Sequence, residues 1–136
     1  MEAYASATAL SIQAQAAAQE NPESLLADLG THRRGKIDGE MVVDAVRQGD
    51  PTATTVFAHY VDDLAEGIAN IVNILQPEVV CIGGGVSGAG ELLLVPLREK
   101  VQTKIYSRHS KKNTCIALAR LGNTAGIIGA AGFYHV

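Results

Sequence analysis

Apolar positions change their spacing partway along this chain of 136 residues. From Ala3 to Gln19 alanines dominate, with Leu10 and Ile12 among them and no breaker before Asn21-Pro22. That composition predicts a helix, because alanine loses no side-chain entropy in one. A short helix over Glu23–Leu29 follows, with Gly30 as the residue just past its end. The polar stretch Thr31–Lys36 breaks the periodicity and reads as a surface loop. Asp38 is placed to N-cap a helix running to Gln48, and Gly49 is its stop. Asp50-Pro51 opens the longest helix, a capping carboxylate followed by proline at the first helical position. Val56, Tyr60, Leu64, Ile68, Ile71, Val72 and Leu75 recur at three- and four-residue intervals, which predicts one buried stripe ending at Pro77. Gly67 inside that helix costs about 1 kcal/mol against alanine, which fits a close packing contact.

Beyond Pro77 the pattern turns β-like. Glu78–Ile82 is a short apolar run, and after a glycine-rich turn a helix is predicted from Glu91 to Ser107. Pro96 should lie in its first turn or kink it. Thr114–Leu118 is a second β-like run, and Gly122–Gly126 leads into a small-residue helix, Ile127–Phe133. Strand, helix, strand, helix in that order is a βαβα unit with parallel strands and a right-handed crossover. The class is therefore α/β, helix-rich, with this unit late in the chain. Both strands are continuously apolar, as strands buried on two faces are. Two strands do not hold a sheet alone, and no strand-like run precedes them. The chain reads as part of a larger sheet domain whose other strands lie upstream or on a partner.

Composition narrows the classes. The length suits one domain, and a hydrophobic content of 47% supplies a core. No run approaches the roughly 18 to 20 apolar residues that span a bilayer. Met1-Glu2-Ala3-Tyr4 has neither a basic n-region nor an apolar h-region, so the chain reads as cytoplasmic with no membrane partner. The net charge of −3 hides a late basic cluster, Arg98, Lys100, Lys104, Arg108, Lys111, Lys112 and Arg120. A nucleic-acid patch is one reading of it; helical spacing and few aromatics favour a solvated helix face. Cys81 and Cys115 fall in the strands and read as small buried core residues, with no neighbour at zinc-ligand spacing. His32, His59, His109 and His135 have no carboxylate at a telling spacing and read as solvated. Asp62 and Asp63 are adjacent on a helix and point about 100° apart, so they do not converge on one site.

The candidate chemistry lies in Gly83-Gly84-Gly85-Val86-Ser87-Gly88-Ala89-Gly90, between a strand and a helix. Glycines there let the backbone close on a ligand, and the helix start that follows favours an anionic one. Read literally, Gly83-x-Gly85-x-x-Gly88 fits a dinucleotide fingerprint. That fold needs several strands after the turn and an acidic end to the second one, whereas here one strand follows and ends at Ala119-Arg120. A structural glycine turn without a ligand is the other generic reading.

A wider pattern is more specific. Gln48-Gly49-Asp50-Pro51, Gly67-Ile68-Ala69-Asn70 and Asn73-Ile74-Leu75-Gln76-Pro77 lead into Val80-Cys81-Ile82-Gly83-Gly84-Gly85-Val86-Ser87. With Gly122-Asn123-Thr124-Ala125-Gly126-Ile127-Ile128-Gly129-Ala130-Ala131, the whole chain closely resembles the ROK family of bacterial sugar kinases and repressors, and most of all its glucokinases. Glu2-Ala3-Tyr4-Ala5-Ser6 resembles the residues around the end of that family's zinc motif. The resemblance implies an actin-like ATPase, or ribonuclease-H-like, domain, with residues 1–136 as a single partial domain forming its C-terminal lobe. It implies a transferase that moves the γ-phosphoryl of ATP, with Mg2+, to the 6-hydroxyl of glucose or a related hexose at the entry to glycolysis. Gly83, Gly84, Gly85, Val86 and Ser87 become nucleotide-binding residues on the adenosine side, and Glu2 a sugar ligand. The dipole-favoured carboxylate of a helix start is the plain alternative for Glu2. The family's D-x-G-G-T phosphate loop, general-base aspartate, E-x-G-H sugar motif and structural zinc ligands have no counterpart here, so no catalytic residue is assigned. The chain alone is expected to be inactive, and the complete enzyme a homo-oligomer. The alternatives are the sugar-sensing part of a ROK transcriptional repressor, which alone would bring in nucleic acid, and a stand-alone interaction module.

Overall fold

The computed structural model describes residues 2–32, 36–110 and 112–119. In order these form α1 (Glu2–Ala5), α2 (Ala7–Glu20), α3 (Leu25–His32), α4 (Gly39–Arg47), α5 (Pro51–Leu75), β1 (Val79–Ile82), a 3₁₀ turn (Gly85–Ala89), α6 (Glu91–Lys104), a second 3₁₀ turn (Tyr106–His109) and β2 (Cys115–Leu118). The small-residue helix predicted over 127–133, and the segment 122–126 that leads into it, lie outside the described residues.

The first predicted helix is broken at Ser6. Its side chain accepts the Ala9 N–H at 3.0 Å and caps α2, so the hydroxyl competes with the backbone bond a continuous helix would need. On α2, Ala9, Leu10, Ala14 and Ala18 are buried, small residues that let the helix pack closely on α5. The third helix also differs from expectation. It runs through Gly30 to His32, because the absent side chain makes room for Ile37; a Cβ at Gly30 would lie 2.9 Å from the Ile37 Cγ1.

Local signals held at the next two helices. Asp38 caps α4 through the Met41 N–H at 3.0 Å, and Gly49, at φ +83°, follows its end. Asp50 caps α5 through the Thr52 N–H at 2.8 Å, with Pro51 at the first position. The same carboxylate does a second task that spacing did not reveal. Its other oxygen accepts the Leu26 N–H of α3 at 2.7 Å, and the residue is only 5% exposed.

The stripe on α5 is buried at Val56, Tyr60, Leu64, Ile68 and Val72. It stops there: Ile71 is half-buried and Leu75 is 70% exposed, so the expected stripe is one turn too long. The end of α5 overhangs the core and is held by polar contacts instead. Asn73 donates to the Lys104 carbonyl and accepts the Tyr106 N–H at 2.9 Å. That side chain takes over the cap of α6, which ends at Lys104 rather than Ser107, with Ile105 extended and buried. Lys100–Asp62 and Lys104–Glu66 span the same sequence separation, so α5 and α6 run in one direction, clipped by exposed pairs of small energetic weight. Pro96 sits past the first turn, inside α6.

β1 and β2 pair in parallel, Val79 opposite Cys115 and Ile82 opposite Leu118, with α6 as the connection. Val80, Ile82, Ile116 and Leu118 pack on the helical core. Arg98 of α6 donates through Nε and Nη2 to the Ile116 carbonyl, at 2.9 and 2.6 Å. Val79, Cys81 and Cys115 alternate with the inward residues and are exposed. The expectation that both cysteines are buried in the core is therefore corrected. Strand parity, not residue type, decides their side of the sheet. Among the described residues only one face of the sheet is covered.

Candidate functional site

The glycine run forms a compact bend at the C-terminal end of β1. Gly84 has φ +84° and ψ −175°, a combination that only glycine adopts without strain. Its carbonyl accepts both the Ser87 N–H at 3.1 Å and the Ser87 hydroxyl at 2.6 Å, which closes the 3₁₀ turn. Gly90, at φ +63°, then starts α6, and its carbonyl accepts the Leu93 and Leu94 N–H groups. The sequence pattern expected a helix directly after the glycines; the structure interposes the 3₁₀ turn, so the long helix begins only at Glu91.

Burial divides the motif. Val86 and Ala89 are buried and anchor the turn, with Val86 seated against the glycine that opens α4: a Cβ at Gly39 would lie 3.6 Å from the Val86 Cγ2. Its side chain is thus committed to the core, and what Val86 can offer a ligand is backbone. Gly83, Gly84 and Gly85 are exposed, and no atom lies within 4 Å of a Cβ built at Gly84 or Gly85. Ser87 is half-buried with its hydroxyl engaged.

Gly85 looks onto two recesses. The larger, about 520 Å³, lies between the turn, α2 and the start of α4, and is lined by Thr8, Ser11, Lys36, Glu40, Gly85 and Val86 among others. The Ser11 hydroxyl donates to the Ile37 carbonyl and fixes the strand-like approach to α4 against α2. The smaller, about 270 Å³, lies between α4 and the turn and includes Glu40, Asp44, Arg47 and Gly88. There the Arg47 guanidinium donates to the Gly88 carbonyl at 3.4 Å and to Asp44 at 3.3 Å. An open groove beside a turn without side chains can take a flat ring system, and its polar wall can bind hydroxyls.

The other sequence candidates do not join this group. Glu2 opens α1, and its side chain is outside the described ones. His59 and His109 are exposed, while the His32 side chain and His135 lie outside the described residues. Asp62 is exposed and pairs with Lys100, so no carboxylate dyad forms with Asp63. Among the described residues no cluster of His, Cys, Asp or Glu could hold a metal ion, and no helix is long and apolar enough to cross a membrane. Sequence reasoning missed Thr8, Ser11, Lys36 and Glu40. They lie far upstream of the glycines, and only the packing of α4 on the 3₁₀ turn brings them there.

The comparisons bear on the same elements. The pattern of the ROK family matches residues 1–136. A glucokinase of Thermotoga maritima is 40% identical over 131 residues, covering 96% of this chain and 41% of that protein. A ROK family glucokinase of Streptomyces griseus, crystallised in complex with glucose and AMPPNP, superposes with a TM-score of 0.83 at 33% identity. That match covers 97% of this chain and 43% of the other. A xylose repressor of Caldicellulosiruptor bescii is 29% identical over 94 residues, 69% of this chain and 23% of that protein. The chain spans about two fifths of the length of the glucokinases it matches.

Proposed function

The chain belongs to the ROK family, and from that premise we propose that it serves as the C-terminal portion of a glucokinase, supplying the adenosine side of the site that transfers a phosphoryl group from ATP to the 6-hydroxyl of glucose. Its fold is that of part of a ROK sugar kinase, an actin-like domain. The observation that carries the proposal is the open groove beside the exposed glycine turn at Gly85, in a chain that superposes on a glucokinase crystallised with glucose and AMPPNP. Gly84 and Gly85 leave room for the nucleoside, Gly83 joins them through its exposed backbone, and Val86 and Ser87 hold the turn in shape. Transfer of this kind depends on positioning and charge stabilisation, so a rigid turn that fixes one end of the nucleotide contributes directly. ATP with Mg2+ and a hexose are the ligands, Glu2 is the sugar contact, and the setting is a cytoplasmic homo-oligomer feeding glycolysis. The structural zinc belongs to family motifs that have no counterpart among these residues. The repressor reading has the xylose repressor match behind it; it requires sugar binding without nucleotide.

Calorimetric titration with ADP separates the two. Saturable binding is expected. Gly85→Trp, whose side chain enters open space and fills the groove, should weaken it by roughly tenfold or more, with far-UV dichroism unchanged. A chain that ignores ADP, or binds it equally well with tryptophan at 85, sinks the nucleotide reading.

A further inference from the structure

We infer that Glu40 reads the ribose of the nucleotide, accepting hydrogen bonds from its 2′- and 3′-hydroxyls across the groove from Gly85. The inference rests on the nucleotide reading of the glycine turn and adds a specificity residue to it.

Three observations carry it. First, Glu40 lines both recesses that meet at Gly85, so it stands beside the exposed part of the turn. Second, the groove wall has two carboxylates and only one is available. Asp38 already accepts the Met41 N–H at 3.0 Å as the cap of α4, whereas Glu40 is exposed and makes no hydrogen bond or ion pair among the described residues. Third, Lys36 lines the same groove and offsets part of the charge of its two carboxylates. An unbalanced acidic wall would repel an anionic nucleotide.

Chemistry then selects the moiety. A carboxylate is an acceptor only, with two oxygens side by side. Phosphates offer no donor at neutral pH and would be repelled. Adenine offers a single amino group on one edge. The vicinal ribose hydroxyls present two adjacent donors, the pattern a carboxylate can engage with both oxygens, and hydrogen bonds to a charged acceptor are the stronger kind. Glu40 therefore belongs on the nucleoside half, with the phosphates directed away from it.

The test compares ADP with 2′,3′-dideoxy-ADP by calorimetry on the chain and on two variants. The unaltered chain should prefer ADP by roughly tenfold, the weight of hydrogen bonds to a charged group. Glu40→Ala should bind both nucleotides alike, with its dideoxy-ADP affinity within about twofold of the unaltered chain's. Glu40→Gln, which keeps the length and one acceptor, should fall between. Far-UV dichroism of each variant verifies that α4 persists. An ADP preference that survives Glu40→Ala overturns the inference, as does an equal change in affinity for both nucleotides, which marks a general charge effect. If ADP binding responds to Gly85→Trp but the preference ignores Glu40, this inference alone falls. If the unaltered chain binds neither nucleotide, the nucleotide reading falls and takes this one with it.

Discussion

Tyr60 shows how one buried polar atom sets a limit on stability. It stands on α5 at 4% exposure, beside Phe57, and donates to the Ala5 carbonyl at 3.4 Å. Burial raises its phenol above the ordinary value of 10.0. The unfolded chain therefore loses this proton at lower pH than the folded one. Between the two values the unfolded state binds fewer protons, and stability falls as pH rises. Below about pH 10 both forms are protonated and the effect is absent. Tyr60→Phe should flatten the alkaline limb of stability while costing under ~1 kcal/mol at neutral pH, since the hydrogen bond it removes is long. Urea unfolding at about pH 8 and about pH 10.5 measures both. An alkaline limb as steep in the variant as in the parent would show that another group controls it.

At the scale of elements, the sheet gives the clearest test. Cys81 and Cys115 lie on the outward side of β1 and β2, exposed and without a disulfide. Both thiols should react with Ellman's reagent in the folded chain without denaturant; a native count below the chain's two cysteines would contradict the exposed face. This was illegible in the sequence for a physical reason. Val79-Val80-Cys81-Ile82 has no polar alternation, so nothing in it says which parity faces the core. The caps at Asp38 and Asp50 and the stop at Gly49 were legible, because each is written within a few residues of the helix end it controls. Gly30 misled because its role is set by Ile37 rather than by its neighbours. The glycine turn was visible as a motif, but the groove was not: Lys36 and Glu40 enter it through the packing of α4 on the 3₁₀ turn. The side chain of Val86 is buried and anchors the turn, so any contact it makes with a ligand is through its backbone.

For the molecule as a whole, α5 is the shared support: α1, α2, α4 and α6 all pack against it. Its first turn is tied to α3 by the Asp50 carboxylate, which takes the Leu26 N–H on one oxygen and the Thr52 N–H on the other. Asp50→Ala strips the cap from α5 and strands the buried Leu26 donor of α3, whose cap at Ser24 remains, so a loss of about 2–4 kcal/mol is expected in chemical unfolding. A loss below about 1 kcal/mol would show that water or nearby groups replace the carboxylate. The double cap also bears on how the native state breathes. Helix starts ordinarily fray one by one, each amide exchanging its proton at its own pace. Here the Leu26 amide cannot swap its hydrogen for deuterium until the carboxylate lets go, and a swing of the whole Asp50 side chain frees Thr52 with it. The two amides, on helices separated by a loop and all of α4, should report one opening free energy in hydrogen exchange, and Asp50→Ala should split them into a fast site and a slow one.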